Sequence, residues 1–338
     1  MNMPVPDKNN VTAQRGLTES LNDHLRIIAD DLAEVRLRID SLLVSPEGAI
    51  SEMLRHVSSR SGKMLRPAMV LLVGDACGEI NDKHIEIATV VELLHAATLL
   101  HDDVLDEAQA RRKASTANCL WGNEAAVLLG DFLLGKVFLT CSRMEPRQVA
   151  QVLSETALEI CSGELMQNIQ RQNFELTESA YFEIVKAKTA ILFGICGYLG
   201  SLASGGDERQ NELFREFGIK VGMAFQITDD LLDITGNEEK VGKTLGTDLA
   251  GCKMTLPVIR MLGQIPSHLR PEAIRNLTGT IDPQRLRRLL TDSDTIEYTQ
   301  SVAGRFCEEA VETLHTLDNS VNTDRLIDIA KSVAVRYF

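Results

Sequence analysis

Positive charge is scarce in this chain. Over 338 residues, 35 Lys+Arg stand against 48 Asp+Glu, a net charge of −13. A protein that wraps nucleic acid needs a basic face to meet phosphate, so nucleic acid is set aside as a partner. Cysteine is present but unorganised. Cys77, Cys119, Cys141, Cys161, Cys196, Cys252 and Cys307 are odd in number and form no C-x-x-C. That excludes a disulfide framework and a zinc ribbon and fits a reducing, cytoplasmic setting. No P-loop or G-x-G-x-x-G occurs, so a nucleotide is not indicated. The opening MNMPVPDKNN lacks the basic-then-apolar order of a secretory signal. Internal repeats and Ser/Pro-rich linkers are absent too. What remains, 44% hydrophobic and 25% charged residues, is the composition of a folded soluble protein.

One stretch, residues 189–206, carries no charge, and its five glycines with Ser201 and Ser204 argue for a buried helix in close contact. A bilayer span is the weaker account. Most other segments have helical periodicity: about 18–43, 46–59, 67–76, 122–142, 147–171, 178–203, 208–234, 253–262 and 298–336. Ser45-Pro46-Glu47 has the order of an N-cap, N1 and first-turn acid. Residues 90–105 are apolar on every side, as in a helix at the centre of a bundle. Residues 235–253, rich in Gly and Lys, are the most loop-like interior segment. The expectation is an all-α bundle of ten or more helices, with 1–17 frayed and 18–338 as one domain.

Two segments carry chemistry. His101-Asp102-Asp103-Val104-Leu105-Asp106 and Thr228-Asp229-Asp230-Leu231-Leu232-Asp233 each contain D-D-x-x-D. Asp102 with Asp106, and Asp229 with Asp233, share a helix face at four-residue spacing. Both clusters end very apolar helices, where clustered carboxylates need a counter-charge. An all-oxygen set favours Mg²⁺, or Mn²⁺ in its place, completed by water and substrate phosphate. His101-Asp102 also has the look of the His-Asp pair of metal phosphohydrolases, but further ligands at suitable spacing are missing. Cations form the complementary set: Lys63 and Arg66, Arg111 and Arg112, Lys188, Lys243 and Lys253. Together they imply a substrate with several phosphate charges.

At this point the sequence resembles the trans (all-E) isoprenyl diphosphate synthases. The matching blocks, in order, are GKMLRP (62–67), VELLHAATLLHDDVLDEAQARR (91–112), TANCLWGNEAAVLLGD (116–131), GELMQ (163–167), KTA (188–190), FQITDDLLDITG (225–236), GKTLGTDL (242–249) and KMTLP (253–257). The resemblance implies an isoprenoid-synthase helical bundle with a central cavity, a homodimer, and head-to-tail joining of isopentenyl diphosphate to an allylic diphosphate. It implies three Mg²⁺ held by Asp102, Asp106 and Asp229, with Asp103, Asp230 and Asp233 in support. Arg111, Lys188 and Lys243 match contacts to the allylic diphosphate, and Lys63, Arg66, His95 and Arg112 match the isopentenyl diphosphate pocket. Thr189 and Gln226 match oxygens facing the allylic cation, and Lys253 a lysine that closes the site. The sequence departs from the family at Lys113-Ala114-Ser115 and at Gly251-Cys252, both loops beside retained cations. No transmembrane segment is expected, with a membrane surface met for product release.

Chain length is set by what blocks the helix face below the metals. Ala97 and Thr98 stand there, about 7.5 and 6 Å below Asp102, where short-product members place aromatics. The expectation is a long product of roughly thirty to fifty carbons, as in quinone side chains, by analogy with the family. The alternatives are a geranylgeranyl or farnesyl diphosphate synthase, with a floor from Leu94 or Phe138, and a non-catalytic subunit of a heteromeric prenyltransferase. A terpene cyclase would lack GKMLRP and a second D-D-x-x-D.

Overall fold

The computed structural model describes residues 25–59, 62–111, 114–236, 248, 251–278, 294–317 and 321–335. Arg112, Lys243, the frayed stretch expected at 1–17 and most of the expected loop lie outside them. The described part is helical apart from one two-stranded ladder. Before the first acidic motif come α1 (Ala29–Leu42), α2 (Gly48–Ser58), α3 (Leu65–Ala76) and α4 (Asp82–Leu105). After it come β1 (Ala110–Arg111), β2 (Ala114–Ser115), α5 (Ala117–Trp121), α6 (Asn123–Cys141) and α7 (Gln148–Ile169). Then follow α8 (Glu178–Val185), a π turn (Lys186–Ala190), α9 (Ile191–Ala203), α10 (Glu208–Thr235), α11 (Leu256–Gln264), α12 (Arg270–Thr278), α13 (Thr295–Leu314) and α14 (Asp324–Val335).

Helix α4 starts on a capping box: the Asn81 side chain accepts from the backbone of Lys83 and His84, and His84 returns a bond to Asn81. It then runs through the core, with Val90, Val91, Leu93, Leu94 and Ala97 all buried. Helix α9 is buried along most of its length and packs on α3, α4, α7 and α10. Its glycines permit this. A Cβ on Gly197 would lie 2.1 Å from the Phe214 carbonyl oxygen, and one on Gly200 2.8 Å from that of Val70. The uncharged stretch is therefore a core helix. No helix among the described residues is long and apolar enough to cross a membrane.

Two local expectations are corrected. The helix expected over 298–336 is two helices, with non-helical backbone at 321–323 before α14. Ser45 is not the N-cap: α2 begins at Gly48 with Glu47 as cap, and the Ser45 hydroxyl instead bonds the Glu47 carboxylate at 2.5 Å. The short α5 and the β1–β2 ladder have too few residues to carry a periodic pattern.

Candidate active site

Helix α4 delivers the first acidic motif at its C-terminal end, where the helix dipole favours a cation. The three carboxylates have different surroundings. Asp103 is buried and accepts from Arg111 Nε at 2.8 Å. The β1–β2 ladder holds Arg111 in place, pairing Arg111 with Ala114 and Ala110 with Ser115. Asp102 is raised to about 6 by burial, against the pull of Lys188, with Glu164 and Asp106 adding to the rise. Asp106 caps the helix and accepts from Lys253 Nζ at 2.7 Å and Arg171 Nη2 at 3.1 Å. His101 turns away to α6, with Nε2 3.2 Å from the Val127 carbonyl and 3.4 Å from Asp131. That removes it from any His-Asp metal pair.

The backbone places Lys188 beside Asp102. Gly163 of α7 lies so close to the π turn that a Cβ would stand 2.6 Å from Lys188 N. This approach sets Glu164 and Gln167 alongside the lysine. Lys188 pairs with the Glu164 carboxylate and donates to Gln167 Oε1 at 2.8 Å. Neither Glu164 nor Gln167 was singled out from sequence, although they share a face three residues apart within GELMQ.

Helix α10 carries the second motif. Asp233 and Asp230 are buried; Asp229 is half-buried. Both oxygens of Asp230 are engaged, by Tyr181 OH and by Gln226 Nε2, each at 2.7 Å. Burial, with Asp248 and Asp229 nearby, holds Asp230 well above the usual carboxylate range. Burial and the Asp230 charge likewise raise the Tyr181 phenol. Because a carboxylate facing the amide accepts from its nitrogen, Gln226 Oε1 faces Thr189, whose hydroxyl donates to it at 2.9 Å. What Thr189 presents to any further group is lone pairs.

One chain of contacts joins the two motifs. Lys253 Nζ lies 2.7 Å from Asp106 and 3.3 Å from Asp248, and the Asp248 N–H donates to Asp233 Oδ2 at 3.1 Å. Burial pulls the Lys253 ammonium down, and Asp248 and Asp106 outweigh it, holding the group up at about 12. Arg171, Tyr181 and Asp248 are further residues that the sequence reading did not name individually.

Of the remaining expected residues, Arg66 and His95 meet. Arg66 Nη1 lies 3.0 Å from His95 Nε2, and its guanidinium stacks 4.6 Å from the Phe193 ring centre. Lys63 is exposed just before α3, next to Met64 in the left-handed region. Ala97 is buried, and Thr98 is half-buried with its hydroxyl on the His95 carbonyl at 2.8 Å. Phe138 is half exposed on α6, so it supplies no interior floor; Leu94 is buried.

The donor set fits a hard divalent cation. It is all oxygen, and Asp102 is desolvated among other carboxylates. Among the described residues no three His, Cys, Asp or Glu side chains already converge as a metal site. An all-oxygen set of this kind is one that Mg²⁺ takes together with water and phosphate.

The sequence profile of the polyprenyl synthetase family matches residues 47–290. The chain is 33% identical over 312 residues to an all-trans-nonaprenyl-diphosphate synthase (geranyl-diphosphate specific) of Rhodobacter capsulatus, covering 91% of this chain and 96% of that protein. It is 34% identical over 317 residues to a geranylgeranyl pyrophosphate synthase of Geoglobus acetivorans, covering 90% and 96%. Among solved structures, a polyprenyl synthase of Caulobacter crescentus complexed with calcium and isoprenyl diphosphate superposes with a TM-score of 0.88. The identity is 30%, covering 94% of this chain and 98% of that one.

Proposed function

The chain belongs to the polyprenyl synthetase family, and on that premise we propose that it joins isopentenyl diphosphate head-to-tail to an allylic diphosphate, repeatedly, to give a long all-E polyprenyl diphosphate. The observation that carries this is the line Asp106–Lys253–Asp248–Asp233, which links the two acidic motifs through Lys253 and the Asp248 backbone. That the Caulobacter structure is complexed with calcium and isoprenyl diphosphate supports a site for metal and diphosphate in this chain.

In this reading Asp102, Asp106 and Asp229 hold Mg²⁺, three ions in all, with Asp103, Asp230 and Asp233 fixing the ligands' surroundings. The metal, when bound, neutralises diphosphate as it leaves. Lys188, Arg111 and Lys243 add direct positive charge to the same leaving group. Lys63, Arg66, His95 and Arg112 hold the second diphosphate. His95 precedes Asp102 by seven residues, two turns along the same face, or roughly 10 Å. Thr189 offers oxygen lone pairs to the developing allylic cation, with the hydroxyl hydrogen kept on Gln226. The apolar interior keeps water from that cation. The departing diphosphate is the acceptor of the final proton.

Small side chains at Ala97 and Thr98 favour a product beyond twenty carbons, and the nonaprenyl-forming relative agrees. A geranylgeranyl-length product is the second reading, favoured by the Geoglobus relative and by buried Leu94. We assign the protein to the cytoplasm as a homodimer that meets a membrane surface when product leaves. The dimer rests on α6 and α7, which expose Leu128, Phe138, Leu139, Leu158, Leu165 and Ile169, a patch that water would not favour.

The test is incubation with isopentenyl diphosphate, a fifteen-carbon allylic diphosphate and Mg²⁺, with and without chelator, reading product masses. A chelator-sensitive ladder ending beyond twenty carbons is expected. A stop at twenty would keep the chemistry and replace the length assignment. Absence of condensation with any primer would point to a non-catalytic subunit.

A further inference from the structure

The last carboxylate of the first motif is doubly occupied, and one of its partners belongs to no motif block. Lys253 takes Oδ2 of Asp106, and Arg171 takes Oδ1 at 3.1 Å. Arg171 lies two residues past the end of α7. The next residue, Gln172, is in the left-handed region and donates its N–H to the Cys252 carbonyl at 3.2 Å. The end of α7 is thereby fastened to the backbone beside Lys253, and two cations converge on one carboxylate.

The guanidinium is used at half its capacity. The edge formed by Nε–H and Nη2–H is a fork that fits two oxygens of one anion. Here Nη2 bonds Asp106, while Nε is buried and has no hydrogen-bond partner among the described residues. A surface ion pair of no consequence would leave that donor in water. A buried, unpaired N–H is costly, and a ligand with several clustered oxygens removes the cost.

We propose that Arg171 is a diphosphate-binding residue of this site. This rests on the reading of Asp106 as a metal ligand for the allylic diphosphate. While the site is without metal, Arg171 neutralises Asp106. Once Asp106 is given over to metal, the released fork takes two oxygens of the allylic diphosphate. Arg171 therefore opposes metal binding in the absence of diphosphate and strengthens diphosphate binding in its presence. By linkage, metal and allylic diphosphate each raise the affinity of the other. Isopentenyl diphosphate, assigned to the group around Arg66 and His95, is untouched.

The experiment uses the full chain with Arg171→Gln and Arg171→Lys, each checked for fold by circular dichroism. Mn²⁺ binding is followed by electron paramagnetic resonance without diphosphate, and then the affinity for an unreactive allylic thiodiphosphate at saturating Mn²⁺. Arg171→Gln is expected to bind Mn²⁺ alone about threefold more tightly and the thiodiphosphate about tenfold more weakly. Its KM for the allylic substrate rises in step, with that for isopentenyl diphosphate unchanged. Arg171→Lys keeps the charge without the fork, so it restores the Mn²⁺ value and leaves the thiodiphosphate weak. Wild-type affinity for the thiodiphosphate in either variant overturns the proposal. That outcome in an enzyme whose wild type makes product defeats this inference alone, whereas a wild type that makes none defeats the reading beneath it.

Discussion

Asp102 is the residue on which site and stability pull in opposite directions. Its ordinary value near 3.8 is raised to about 6, first by burial and then by Glu164 and Asp106. Between those values the folded chain keeps a proton that the unfolded chain has lost. Stability of the metal-free protein therefore falls as pH rises from about 4 to about 6, and stays reduced above it. Screening of a half-buried group limits the effect to about 1 kcal/mol. Asp102→Asn removes the penalty. We expect its melting temperature without metal to exceed wild type by about 2 °C at pH 8 and to match it near pH 4, with turnover down at least about 100-fold. A variant no more stable than wild type at pH 8 would contradict the electrostatic account. The two acidic clusters were legible in the sequence because D-D-x-x-D is a short local pattern. Arg171, Tyr181 and Asp248 were not, because each acts across a gap in the chain that no local pattern spans: Arg171 meets Asp106 65 residues away, Tyr181 meets Asp230 49 away, and Asp248 meets Asp233 15 away.

At the scale of the element, the π turn at Lys186–Ala190 interrupts the single helix expected over 178–203. A single helical wheel through 178–203 loses phase there by one extra residue, about 100°. Lys188 and Thr189 lie within that turn. Gly163 is what lets α7 approach it. Gly163→Ala sets a Cβ 2.6 Å from Lys188 N, so the lysine must move. The expected result is a loss of about 1–3 kcal/mol in urea denaturation together with reduced kcat; unchanged values in both would show that this contact is dispensable. Helix α4 carries the length assignment. Ala97→Phe, about a turn and a half of helix below Asp102, is expected to shorten the product to about fifteen to twenty carbons. An unaltered mass distribution would place the floor elsewhere. Periodicity located α7 and α10 well, since each is long; the apolar run at 90–105 marked only the later part of α4, which begins at Asp82. It ran α13 and α14 together because the segment between them contains no proline or glycine to mark the break.

For the whole molecule, the exposed apolar residues of α6 and α7 and the acidic motifs on α4 and α10 lie on different parts of the same bundle. Helix α6 is held to α4 at Gly130, where a Cβ would lie 2.3 Å from the His101 ring, leaving Leu128 and Leu139 outward. Leu128→Glu combined with Leu165→Glu is expected to halve the mass by light scattering while helical content persists; an undiminished mass would reject this face as the dimer contact. The proposed function requires that the two motifs share metal around one diphosphate. Its most direct test is anomalous diffraction from crystals soaked with Mn²⁺ and an unreactive allylic thiodiphosphate. The account predicts anomalous peaks in contact with Asp102 and Asp106 on one side and Asp229 on the other, with the diphosphate between them. A diphosphate bound with no metal peak at either motif would contradict it.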